Sequence, residues 1–204
     1  MSISVHQRPG VYSSYEASSL VSGGMGRMVG LAAVTAAVSA GTLQTVTSYD
    51  RAAALFGTEG SEGTAELIRL ALKNGAAGVT VAPAAGPEGY EEAFALLAGV
   101  EDLGLVLCDS TDVEVQKKLR DSVIEASQAR RERLCVVAGG KDETAEQLIE
   151  RAGALNHERV ILVAPGAVDR EGKAGSGLPL AAAVAGAAAG ERDPAIPMGG
   201  AELL

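Results

Sequence analysis

The chain has 204 residues, of which 47% are hydrophobic but only 3% aromatic and none tryptophan, so its interior must be filled by alanine, valine, leucine and isoleucine. A formal net charge of −9 excludes the basic footprint that DNA or RNA binding requires. The two cysteines, Cys108 and Cys135, each lie inside an apolar run; they are too few for a disulfide framework and read as reduced core residues.

Residues 1–27 look unlike the rest. Ser2-Ile3-Ser4-Val5-His6 alternates polar and apolar, the pattern of a half-buried strand. Arg8-Pro9-Gly10 breaks it, and Val11-Tyr12 resumes an extended chain before a run rich in serine, alanine and glycine. Such a segment buries little by itself. It is either disordered or completed by contacts with something else, so residues 1–27 are predicted to be an extended N-terminal arm.

From Met28 to Tyr49 no residue is charged, which calls for a membrane test. The stretch holds Gly30, Gly41 and Gln44, and its apolar members are mostly alanine and valine. A spanning helix wants about 20 strongly apolar residues. Two short buried strands, 28–37 and 42–47, fit better, and no membrane insertion is expected.

Beyond them the pattern settles into alternation. Ser48 caps a helix over 49–56, closed by Gly57, and a second helix over 64–74 carries Leu67, Ile68, Ala71 and Leu72 at helical spacing. Strands at 78–82, 103–108, 134–138 and 160–164 then alternate with helices at 88–98, 112–131 and 142–155. On the last of these, Ala145, Leu148, Ile149 and Ala152 share a face. The run Arg130-Arg131-Glu132-Arg133 reads as a solvated helix end. After a glycine-rich loop, an alanine-rich helix over 178–189 packs into the core.

This alternation predicts an α/β fold, a three-layer sandwich with a mostly parallel sheet, over 28–192. Residues 193–204 form a Pro/Gly-rich C-terminal segment. Its last residues, Ala201-Glu202-Leu203-Leu204, read like a chain cut just before more protein.

In open α/β sheets ligands gather beyond the carboxyl ends of the strands. The chemistry available there is Asp109 and Lys141 as an acid and a base, with Cys108 as a nucleophile. A nucleophilic cysteine needs an activating base, and the only histidines are His6 and His157. Gly139-Gly140-Lys141 lacks the spacing and the hydroxyl residue of a phosphate loop, and Asp142 reads instead as a helix N-cap. Gly24-Met25-Gly26 precedes a strand rather than following one, so a dinucleotide fingerprint fails. Asp109 and Asp112 read as caps of the long helix, and no metal-ligand spacing appears. The expectation is a protein without catalysis, cofactor or metal. The alternative is a small α/β nucleotide- or phosphate-binding enzyme using Gly139-Gly140-Lys141 and Asp109.

Four segments, in order, resemble the sheath proteins of contractile phage tails and related particles. Arg8-Pro9-Gly10-Val11-Tyr12 is similar to the Pro-Gly-Val-Tyr motif near the start of that family. Thr45-Val46-Thr47-Ser48-Tyr49, running on to Leu55-Phe56-Gly57, resembles its strand–helix unit closing on Phe-Gly. Glu158-Arg159-Val160-Ile161-Leu162-Val163-Ala164-Pro165-Gly166 resembles a late strand and loop, and Leu178-Pro179-Leu180 with Ala185-Gly186 the helix after it.

The resemblance implies a structural subunit that polymerises around a tail tube and contracts to drive it through a cell envelope. Its partners would be other copies of itself, the tube protein and baseplate proteins. Its place would be the virion or phage-tail-like particle, after assembly in the bacterial host cytoplasm. It also implies an inter-subunit arm, in which Ile3, Val5, Arg8, Pro9, Gly10, Val11 and Tyr12 lie, adding a strand to a neighbour. The family continues into a C-terminal domain and second arm, without which the chain is not expected to build a stable lattice alone.

Overall fold

The computed structural model of the protein describes residues 26–58, 60–166, 168, 172, 174–191 and 198–204. Ile3, Val5, Arg8, Pro9, Gly10, Val11 and Tyr12 lie outside the described residues. The uncharged stretch forms β1 (Met28–Val34) and β2 (Gln44–Val46), as its weak hydropathy predicts. Among the described residues no helix is long and apolar enough to cross a membrane.

Ser48 starts α1 (Tyr49–Phe56) by accepting a hydrogen bond from the Arg51 amide. Then follow α2 (Thr64–Lys73), β3 (Gly78–Ala84), a 3-10 turn at Pro87–Gly89 and α3 (Tyr90–Ala98). The chain continues through β4 (Leu103–Cys108), α4 (Val113–Gln128), β5 (Leu134–Ala138), α5 (Ala145–Ala154), β6 (Val160–Val163) and α6 (Leu178–Gly190).

The six strands form one sheet in the order β2-β3-β1-β4-β5-β6. All pairings are parallel except that of β2 with β3. Alternation along each strand sends Leu105, Leu107 and Val136 to one face and Val106, Cys108, Cys135 and Val137 to the other. Helices α1, α2 and α6 cover the first face, while α3 and α4 cover the second. The result is the three-layer sandwich that the alternation predicts.

Alanine and glycine set how closely α6 approaches. A Cβ on Gly186 would lie 2.2 Å from the carbonyl oxygen of Ala71 in α2, and one on Gly190 3.0 Å from Cα of Gly75. Only glycine lets two backbones come this near. The small-residue run is therefore core packing within the chain, as read from the sequence.

Three expectations need correction. Arg130-Arg131-Glu132-Arg133 is a solvated helix end only at Arg130 and Glu132, which are exposed. Arg133 is 3% exposed, and its guanidinium donates to the carbonyls of Leu97 at 2.8 Å and Val100 at 2.7 Å. Arg131 donates to the carbonyl of Ala98. Two arginines thus satisfy the open carbonyls at the end of α3, a favourable place for cations.

Asp142 is not an N-cap either. Its φ is +57°, in the left-handed region, and α5 starts three residues later. Thr144 caps it, in a reciprocal box with Gln147.

The third correction concerns the face of α5. Ala145, Ile149 and Ala152 point to solvent, Ile149 being 71% exposed, while the residue buried on this helix is Arg151.

Candidate functional site

The parallel strands alone run β3-β1-β4-β5-β6. The chain leaves β1 toward β3 by helices on one face and returns to β4 by a helix on the other. That reversal makes the gap between the carboxyl ends of β1 and β4 a topological switch point, where open α/β sheets bind ligands.

Here the gap is closed by the protein's own side chains. Asp109, just past β4, accepts from the Val34 amide at 2.9 Å and from the Tyr90 hydroxyl at 2.5 Å. Its own amide donates to the carbonyl of Ala32 at 3.1 Å. Tyr90 is buried and stacks on Phe94, with ring centroids 5.7 Å apart. Burial pushes the Asp109 carboxyl above its ordinary range, against the pull of these donors. Burial and the adjacent carboxylate likewise push the Tyr90 phenol up. Asp109 therefore joins β1, β4 and the start of α3; the cap of α4 is Asp112, which accepts from the Glu114 amide at 2.8 Å.

A second polar cluster lies at the ends of β4 and β5. Arg151 reaches down from α5 and grips both carboxylate oxygens of Glu143. It also donates to the carbonyl of Thr111 at 2.9 Å and to Oε1 of Gln116 at 2.8 Å. Gln116, fully buried, donates in turn to the carbonyls of Ser110 and Ala138 at 3.0 and 2.9 Å. The guanidinium holds the Glu143 carboxyl below its usual range.

The Gly140 amide, where a phosphate would be cradled, donates to Oε2 of Glu143 at 2.9 Å. The turn already holds an anion, and that anion belongs to the chain.

The remaining sequence candidates separate. Lys141 lines a groove of about 530 Å³ with Glu62, Glu66 and Pro179, whereas Asp109 is engaged with Val34 and Tyr90. Cys108 is buried, and its thiol is pushed up to about 12 by burial; Cys135 stands likewise at about 12. A thiol so raised is no nucleophile at neutral pH. His157 sits in the loop before β6, where Nδ1 accepts from the Arg159 amide. Among the described residues no three His, Cys, Asp or Glu side chains gather as a metal site.

Sequence reading missed Arg151, Glu143 and Gln116. One signal was present: Leu148, Arg151 and Leu155 share a helical stripe, and an arginine between two leucines at that spacing must find buried partners.

The fold is an α/β sandwich in which the gap between β1 and β4 and the turn after β5 are filled from within, while a pocket of about 330 Å³ stays open at the ends of β1 and β3. Solved structures share the fold, among them the following three. The helical sheath of the anti-feeding prophage in its contracted state aligns with a TM-score of 0.55 at 17% identity, over 92% of this chain and 54% of that one. The sheath tail protein of Desulfitobacterium hafniense aligns with a TM-score of 0.58 at 13% identity, over 90% of this chain and 63% of that one. The contracted sheath of the extracellular contractile injection system PVC gives 0.56 at 15% identity, over 90% of this chain and 50% of that one. The chain thus has the fold of contractile sheath proteins and spans half to two-thirds of the length of those it matches. No family model and no curated protein matches it.

Proposed function

We propose that this chain is the subunit of a contractile tail sheath, in a phage tail or phage-tail-like particle, which polymerises around a tail tube and contracts to drive it through a cell envelope. One observation carries the reading: about nine-tenths of the chain aligns with sheath proteins of separate contractile systems. It is supported by the ordered motifs Arg8-Pro9-Gly10-Val11-Tyr12, Leu55-Phe56-Gly57 and Val160-Ile161-Leu162-Val163.

In this reading the chain acts by packing and not by chemistry. Residues 1–27 form an inter-subunit arm in which Ile3, Val5 and Val11 supply a strand to a neighbouring copy. Residues 28–192 form the body. The tube and baseplate proteins are its other partners, and the extended lattice stores its energy by kinetic trapping. Assembly precedes release, in the host cytoplasm.

A nucleotide- or phosphate-binding enzyme finds less support. Its two anchor points, Asp109 and the Gly139-Gly140 turn, are engaged by Tyr90 and Val34 and by Glu143. Deleting residues 2–12 from the protein at its natural length tests the arm. The expected result is loss of sheath assembly with an unchanged circular-dichroism melt; intact sheaths would overturn it.

A further inference from the structure

Helix α5 buries an arginine between Leu148 and Leu155 and leaves part of its apolar surface outside. An amphipathic helix on a globular domain turns its apolar stripe inward. This one buries Arg151, held by Glu143, Gln116 and Thr111, and turns Ala145, Ile149, Ala152 and Gly153 to solvent. Burying a guanidinium requires a full set of partners. The fold supplies that set, and in doing so fixes an isoleucine outward at 71% exposure. Glu146 and Glu150, both exposed, flank it.

A counterpart lies across the molecule. Among the described residues, the large hydrophobics left exposed on helices are Ile149 and Tyr49, the first residue of α1. Half-buried Phe56 and Ala53 follow Tyr49 along the same side of α1, and Arg51 is exposed with no carboxylate partner among the described residues. Helix α1 packs beside β2, one edge strand of the sheet, while α5 packs on α4 and leads into β6, the other edge strand. One helix offers an apolar knob between two carboxylates, and the other an exposed tyrosine beside a cation that has no carboxylate partner among the described residues.

We infer that the outward face of α5 is a contact between copies of this chain, in which Ile149 packs on the Tyr49 side of α1 in a second copy while Glu146 and Glu150 face its Arg51. Two different patches make a heterologous contact, which does not close on a dimer and propagates copy after copy. The inference deepens the sheath reading and rests on it.

Sedimentation velocity of the chain up to millimolar concentration tests the contact. The chain should self-associate, and Ile149→Asp should weaken association about 30-fold, the effect of losing a hot-spot side chain. Its thermal melt should not change. Arg51→Glu and Glu150→Arg should each weaken association, and the two variants, mixed or combined, should recover it, because only a heterologous pair restores the charge match.

Equal association of Ile149→Asp, absence of charge-swap recovery, or a wild-type chain that stays monomeric throughout would overturn the contact. The sheath reading is decided separately, by whether the protein at its natural length builds tubes. Tubes made equally well by Ile149→Asp would remove the contact and leave that reading standing.

Discussion

Helices α5 and α6 have opposite relations to water. Helix α6 is apolar on every side and buried for most of its length, with Gly186 pressed against the backbone of α2. Helix α5 turns Ala145, Ile149 and Ala152 outward and buries an arginine between Leu148 and Leu155. An apolar stripe therefore does not say by itself which side of a helix is covered. For α6 the cover is this chain; for α5 the described residues supply none.

The largest effect is expected at Arg151. Replacing it with Met strands Glu143 and Gln116 without their donor, and a broken buried pair costs about 3 kcal/mol or more. Chemical denaturation should show that loss; a change near zero would mean that the cluster does not hold α5 in place.

Next comes α6. Gly186→Ala places a methyl group 2.2 Å from the Ala71 carbonyl oxygen, so the helices must part. Overpacking of this kind costs about 1–3 kcal/mol, outweighing the roughly 1 kcal/mol that alanine returns in helix propensity. A net stabilisation would contradict the close approach.

Thr144→Ala removes the N-cap of α5, with an expected loss of about 1 kcal/mol in the same assay.

Asp109 gives a pH signature. Its folded-state carboxyl is raised by burial, so the fold favours the neutral form. The wild type should therefore lose stability relative to Asp109→Asn as pH climbs from the ordinary aspartate range, near 4, through the raised value. Glu143, held low by Arg151, contributes in the opposite sense, losing stability as pH falls, but it does so in both proteins. Denaturation across acidic to neutral pH should show the two curves diverging upward in pH; parallel curves would refute the buried ionisation.

The smallest effect is expected at Ile149, where substitution by Ser should change stability by no more than about 0.5 kcal/mol. A larger loss would place Ile149 in the core after all.

Much of the fold was legible because it rests on local signals. Ser48 as a cap, Gly57 as a stop and the β-branched run Val79-Thr80-Val81 of β3 each act within a few residues. The orientation of α5 was not legible. Ala145, Ile149 and Ala152 keep helical spacing as well as Leu148, Arg151 and Leu155 do, and the choice between the stripes depends on Glu143, Gln116 and Thr111, which come from other elements. The strand-end residue Asp109 stood out in the sequence, but its partners Tyr90 and Val34 are 19 and 75 residues away. Nothing local announces that a crevice will be filled from within.

Electron microscopy of the protein co-expressed with the tube protein that the sheath reading requires is the most direct test. Hollow, regularly striated cylinders whose wall accommodates this α/β body are the predicted result. Dispersed single molecules beside bare tubes would contradict it.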